Sequence, residues 1–403
     1  DGSTDGSPLV AGRYGATLLQ PGRLGGPARA RNFGARSARG EVLFFIDADV
    51  LVQPDSVARV QAAFAADPGL TALMGSYDDS PAETDFLSQY KNLMHCFVHQ
   101  TGREEASTFW SGCGAIRRET FLAHAGFDES YARPAIEDIE LGYRLSRAGC
   151  RMLLDKDLRV KHLKRWTFWK LLKTDVLDRG IPWTELILRD RNMPNDLNLQ
   201  LSQRVSVALA FVCVGVALLM TLYWGGYFLT PVFAVLLFLM GRFWLDAEGS
   251  PQGFRSFLGM GFGFGLLAVM AWRHQMEAIV PPVVLGYVLL FLRHRYGDTD
   301  SYRSPAASLL YVLYLLLTVL FIATYLPGNP LVAALFLCLL LLVFLNNQFY
   351  LFLAAKRGKA FAVAAVPFHL LYHFYNGISF GAGLLRHLWR SLTARAEPAP
   401  TRK

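Results

Sequence analysis

The chain has 403 residues, 53% of them hydrophobic, and 40 Lys and Arg against 32 Asp and Glu leave a net charge of +8. That length supplies cores for two or three domains, and the basic balance points to an anionic partner such as phosphates or lipid headgroups. The long apolar stretches argue against a soluble nucleic-acid binder. Five scattered cysteines without a C-x-x-C pair argue against a zinc site or a disulfide framework.

Residues 1–204 hold most of the acids and alternate helix and strand patterns. Asp1-Gly2-Ser3-Thr4-Asp5-Gly6-Ser7 is a turn-rich acidic loop, composed like the exit of a preceding strand. The Ala/Arg-rich run 27–39 predicts a helix stopped by Gly40, and the apolar run 41–46 predicts a strand. That strand ends in Asp47-Ala48-Asp49. Two acids spaced i, i+2 share one face of a strand, where they can hold a hard divalent cation beside a phosphate. A helix over 56–66 follows, closed by Asp67-Pro68-Gly69, then a short strand at 70–75 and a helix at 83–101. His95 and His99, four apart on that helix, read as packed or solvated rather than metal-binding.

In Ser111-Gly112-Cys113-Gly114, the glycines Gly112 and Gly114 let backbone approach a ligand, because they carry no side-chain bulk. Helices are expected at 117–125 and 136–148, and a strand at 151–154. Glu137 and Asp138 open the second helix, where the macrodipole favours acids. A carboxylate fixed there can also accept a proton. The alternation predicts an α/β sheet with helices on its faces, and such sheets bind ligands at the carboxyl ends of their strands.

Residues 167–204 combine cations with interfacial aromatics, as in Arg179-Gly180-Ile181-Pro182-Trp183, a composition suited to a headgroup layer. Beyond Arg204, apolar length predicts membrane spans at 205–223, 227–245, 256–272, 275–292, 306–326 and 331–353, with a seventh segment at 360–385. Arg204, Arg242, Arg255, Arg293 and Lys356 fall on one side of these spans, and the positive-inside rule makes that side cytosolic. The tail 393–403 reads as disordered.

The 1–7 loop, Arg31-Asn32-Phe33-Gly34, Phe45-Ile46-Asp47-Ala48-Asp49, the segment 111–118, Gly126-Phe127-Asp128-Glu129 and Glu137-Asp138 occur in a specific order and spacing. Together they resemble the inverting family 2 glycosyltransferases of GT-A fold, through about residue 200. The resemblance implies an α/β GT-A catalytic domain over 1–166 without the family's usual first strand. It further implies an interfacial linker at 167–204 and a helical membrane region at 205–392. By the same resemblance, Asp1 contacts the nucleotide base and Asp47 the ribose or the metal shell. Asp49 ligates Mn²⁺ or Mg²⁺ that bridges the diphosphate of a nucleotide sugar. Gly112 and Gly114 line the donor or acceptor, and Asp138 is the general base supported by Glu137.

Processive relatives carry Gln-x-x-Arg-Trp where this chain has His162-Leu163-Lys164-Arg165-Trp166. His162 could therefore ligate the metal or touch diphosphate, and Arg165 could neutralise leaving-group charge. Alternatively, the segment is a basic stretch lying on headgroups. The missing Gln implies addition of a single sugar. The expected activity is transfer from a nucleotide-diphosphate sugar to a lipid or lipid-linked glycan at the cytosolic membrane face. The alternative is an inactive sugar-nucleotide-binding scaffold or a transporter-associated protein.

Overall fold

The computed structural model describes residues 3–20, 25–224 and 330–396. The chain forms two compact units, one from Asp1–Glu83, Lys91–Gln203 and Tyr375–Lys403, the other from Thr84–Tyr90 and Arg204–Phe374.

In the first unit, strands β1 (Val42–Ile46), β2 (Val50–Val52), β3 (Leu70–Tyr77), β4 (Cys113–Arg117) and β5 (Arg151–His162) form one sheet in the order β1-β4-β3-β5-β2. β3 and β5 run parallel, and the other pairings are antiparallel. β1 and β2 are three residues apart in sequence yet occupy opposite edges, so Asp47-Ala48-Asp49 is the crossing between them. The crossing is tied at both ends: Asp47 N donates to Gly112 O (3.2 Å), and Leu163 N donates to Asp49 O (2.9 Å). Backbone pairing thus sets Asp47 beside the start of β4 and Asp49 beside the end of β5.

The helices of this part are α1 (Ser7–Arg13), α2 (Gly26–Ser37), α3 (Ser56–Ala66), α4 (Phe86–Thr101), α5 (Arg118–Ala123) and α6 (Glu137–Arg147). One core joins Ala28 and Ala35 of α2, the inward residues of β1, β3 and β4, and Leu141 and Leu145 of α6 around Phe109, Phe121 and Phe127. Asn32 of α2 is buried and clamps the turn before Phe127: its Nδ2 donates to Phe127 O (2.8 Å) and its Oδ1 accepts from Phe127 N (2.9 Å). Gly126 is required there, with φ +65° and Asn32 Oδ1 lying 2.4 Å from where a Cβ would stand.

Two elements exceed the sequence expectation. β3 runs on to Tyr77, and β5 does not stop at residue 154 but reaches His162. The Asp155-Lys156-Asp157 stretch is an irregularity within a continuous strand. Asp155 Oδ1 accepts from the amides of Asp157 and Leu158 (2.9 and 3.2 Å), and Arg59 of α3 grips Asp155 at 2.7 Å. The register with β3 shifts between Met74 and Ser76 to absorb it. Past it, Leu158, Val160 and His162 alternate inward.

Residues 168–190, expected as a linker, pack into this unit as α7 (Phe168–Lys173), a π-helical turn (Thr174–Gly180) and α8 (Ile181–Asp190). Leu186 of α8 joins Ile136, Ile139 and Tyr143 in a second apolar cluster. In the π turn, Asp175 is buried and accepts from Lys91 Nζ (2.7 and 2.8 Å) and Tyr375 OH (2.6 Å).

The second unit contains most of α9 (Leu201–Trp224), α10 (Pro330–Leu345), α11 (Asn347–Arg357) and the first half of α12 (Lys359–Ala396). Among the described residues, one helix is long and apolar enough to cross a membrane, α9 over Leu201–Met220. The apolar stretch 331–353 divides at Asn346, whose Nδ2 is held by Ser206 Oγ (2.9 Å) and Leu342 O (2.8 Å). The stretch 360–385 lies inside the 38-residue α12, and the helix extends to Ala396, into the expected tail. The segments expected at 227–326 lie outside the described residues.

Candidate active site

A cavity of 170 Å³ opens at the carboxyl ends of β1, β3 and β5. Asp49 and His162 form one end, with His162 Nε2 3.7 Å from Asp49 Oδ2. The other ring nitrogen, Nδ1, lies 2.6 Å from Asn92 Oδ1. Trp166 Nε1 donates to the same Oδ1 at 3.1 Å. An indole N–H can only donate, so that Asn92 atom is the carbonyl oxygen, and His162 Nδ1 must bring the proton to it. A neutral His162 therefore turns an Nε2 lone pair toward the Asp49 carboxylate. Two acceptors facing each other across 3.7 Å are stabilised by a cation between them, or by a proton on Nε2. In the second case, with a proton on Nε2, His162 holds the Asp49 carboxyl below its ordinary range by hydrogen bond and charge, against the opposing effect of burial and with help from Lys164.

A carboxylate and an imidazole oriented by a buried carboxamide suit Mn²⁺ better than Mg²⁺, which prefers oxygen donors throughout. Among the described residues, no three His, Cys, Asp or Glu side chains gather as a ready metal cage. Two protein donors would leave the remaining positions of such an ion to phosphate oxygens and water.

Glu137 and Asp138 form the other end, at the start of α6. Asp138 Oδ2 accepts from Ser111 N (3.1 Å) and Ser111 Oγ (3.3 Å), and Oδ1 accepts from Ile139 N (2.8 Å). Burial and the neighbouring Glu137 push the Asp138 carboxyl up to about 6, against the pull of the Ser111 amide, Arg31 and Arg179. Glu137 is buried and ion-paired, with Oε1 2.9 Å from Arg31 Nη1 and Oε2 accepting from Ala135 N (2.9 Å). The second arm of the same guanidinium, Arg31 Nη2, reaches Asp47 Oδ1 at 2.6 Å. Arg31 thus fastens the strand-end acids to the helix-start acids. Its position in the Arg31-Asn32 pair of α2 was a sequence signal whose chemical role only the fold reveals.

Between the two ends, the wall is aromatic and cationic. Tyr77 stacks on His162 (centroids 4.5 Å apart) and His99 (6.0 Å) and meets Trp110 at 4.6 Å. His95 and His99 line the cavity as packed, neutral rings: burial lowers both, His99 to about 4. Lys164 and Arg179 also face it.

The expected site residues do not all converge. Asp47, Asp49, Glu137, Asp138 and His162 line the cavity. Arg165 is exposed and is absent from the lining, because β5 ends at His162 and the chain turns. Lys164 and Arg179 supply cationic charge instead, and Arg179 stands in a π turn that sequence periodicity does not reveal. Gly112 and Gly114 are also not in the lining. A Cβ on Gly112 would stand 2.6 Å from the Trp110 indole, and one on Gly114 2.3 Å from Trp110 O, so both glycines serve the seating of Trp110. Cys113, between them, has its thiol pushed up to about 12 by burial and is no nucleophile. Asp1 lies outside the described residues.

Comparison with known proteins gives this geometry a context. The model of glycosyl transferase family 2 matches residues 1–124. Validoxylamine A glucosyltransferases from Streptomyces hygroscopicus subsp. jinggangensis (strain 5008) and subsp. limoneus are each 27% identical over 165 residues, covering 32% of this chain. The matches span 37% and 35% of those relatives, little more than a third of their length. Among solved structures, GalNAc-T7 with UDP, GalNAc and Mn²⁺ is similar at 16% identity and TM-score 0.34, over 49% of this chain and 41% of that one. The mannosyltransferase PcManGT from Pyrobaculum calidifontis, in complex with GDP-Man and Mn²⁺, is similar at 17% identity and TM-score 0.33, over 83% and 74%. The stretch that matches the glycosyl transferase family 2 model holds both the Asp47-Ala48-Asp49 crossing and the Ser111 anchor.

Proposed function

We propose that the protein is a membrane-anchored, inverting glycosyltransferase. It moves one sugar from a nucleotide-diphosphate sugar to a lipid or lipid-linked glycan at the cytosolic membrane face, with Mn²⁺ or Mg²⁺. The observation that carries this reading is the pairing, in one cavity, of the Asp49–His162 end with the raised-pKa carboxyl of Asp138. The family match at 1–124 supports the sugar-transfer class, and the apolar helix at Leu201–Met220 supports the anchor.

Asp49 and His162 would hold the divalent ion, which when bound neutralises charge on a diphosphate. Lys164 and Arg179 add fixed positive charge to the same side of the cavity. The acceptor hydroxyl sits against Asp138, whose oriented carboxylate takes its proton as the oxygen attacks the anomeric carbon. The new C–O bond forms on the face opposite the breaking sugar–phosphate bond, the electron pair leaves on the diphosphate, and the configuration inverts. Ser111 and Ile139 hold Asp138 in one orientation through the cycle. Arg31 pairs with Glu137 beside it and fixes that side chain next to Asp138.

The test is a panel of nucleotide sugars offered to the full chain by calorimetry, with and without Mn²⁺, followed by nuclear magnetic resonance of any product. Metal-dependent binding of one donor and an inverted anomeric centre are expected. No metal-dependent binding across the panel overturns the reading.

A further inference from the structure

The end of α12 presents two unlike faces. One is docked: Tyr375 donates to Asp175, Ser379 and Gly383 lie close against Gly180 and Thr184, and Arg386 and Arg390 flank Glu185 at 3.3 and 3.2 Å. The opposite face is bare and apolar. Ile378, Leu385, Leu388, Trp389 and Leu392 are 46%, 69%, 49%, 70% and 65% exposed. From Leu385 they recur at i+3, i+4 and i+7, with Ile378 two turns earlier, so they form one stripe about 100° wide. A water-soluble surface rarely leaves so continuous a stripe uncovered.

We propose that this stripe rests on an anionic lipid surface at the boundary of acyl chains and headgroups. The inference builds on the membrane-anchored reading above and names a second, lateral contact with lipid. Three observations favour lipid as the occupant. Trp389 has the amphipathic ring that settles at that boundary, and the exposed Leu385, Leu388 and Leu392 beside it supply the apolar surface that such a ring accompanies into the acyl region. On α7 the same chemistry recurs, with Trp169 61% exposed between the exposed Lys170 and Lys173 and the partly covered Phe168.

The experiment places a photoreactive benzophenone side chain singly at positions 385, 388, 389 and 392, with 386 and 390 as controls. The full chain is reconstituted in vesicles of equal parts phosphatidylcholine and phosphatidylglycerol. Irradiation should give lipid adducts from the four stripe positions and lose them at 386 and 390, which should cross-link to the 182–189 region instead. Adducts from the stripe to residues 225–329, adducts to a second copy of the chain, or no lipid adduct at any stripe position would each overturn the proposal. The same samples are assayed for metal-dependent donor binding. Lipid adducts without donor binding sink the enzymatic reading alone, and donor binding without lipid adducts sinks the lipid face alone.

Discussion

The two acid pairs of the cavity share a residue type and little else. Asp49 stands at a strand crossing with its side chain 44% exposed, beside an imidazole and a lysine that keep it ionised. Asp138 stands at a helix start, more enclosed, with Glu137 as a like-charged neighbour, and its carboxyl titrates near 6. A carboxylate that stays ionised across the working range suits a cation. One that titrates close to that range suits proton transfer. Environment, set by which strand or helix ends where, divides the labour between residues that look equivalent in the sequence.

The sharpest way to break that division is Asp138→Asn. It removes the proton acceptor while keeping the shape and the contact with Ser111. Turnover should fall by about 10²–10⁴-fold, while Mn²⁺-dependent donor affinity, measured by calorimetry, stays within a factor of two or so. Equal losses in both would mean that the two ends are not functionally separate.

Arg31→Ala attacks the bridge between the ends. It leaves Glu137 buried without its cation and releases Asp47. Stability in denaturant titration should drop by about 2–3 kcal/mol, since a partly buried ion pair loses one partner. Adding Glu137→Gln should recover part of the loss, because the uncompensated charge is then gone. No recovery would place the effect in packing.

Asn92→Ala tests the metal end without touching a ligand. It frees the His162 tautomer and leaves Trp166 Nε1 without its acceptor. Mn²⁺ affinity should weaken by about 10–100-fold, with the rate at saturating metal less affected. An unchanged metal titration would show that His162 needs no orienting.

How much of this was legible beforehand follows the range of each interaction. Asp47, Asp49, Glu137 and Asp138 were readable because strand ends and helix starts are local patterns. Arg165 falls outside the cavity lining, because β5 runs on through Asp155-Lys156-Asp157, which Arg59 and the β3 register hold in the sheet, and ends at His162. That extension decides where His162 and the following cations point. Asn92 and Arg179 carried no local signal at all. One acts across 70 residues of sequence, and the other depends on a π turn fixed by the buried Lys91–Asp175–Tyr375 contact. The glycines of 111–114 were seen, but their purpose depends on Trp110, which folds back over them.

The smallest expected effect is also the most specific to the Asp138 environment. Its carboxyl is raised from 3.8 to about 6 in the folded chain. A raised folded value means that folding favours the protonated form. The associated stability is fully present below the unfolded value of 3.8 and is lost as pH rises through about 6. Above that, the native enzyme carries an ionised Asp138 at a cost, which solvent screening at this partly covered site reduces to on the order of 1 kcal/mol. Asp138→Asn has no proton to lose and escapes the cost. The inactive variant should therefore unfold at a slightly higher temperature than the native protein at pH 8. The difference should shrink as pH falls through 6 and vanish in acid, whereas Asp49→Asn should show no such gain, since the Asp49 carboxyl is held low rather than high. A gain for Asp138→Asn that does not change with pH would mean that burial of the charge is not its source.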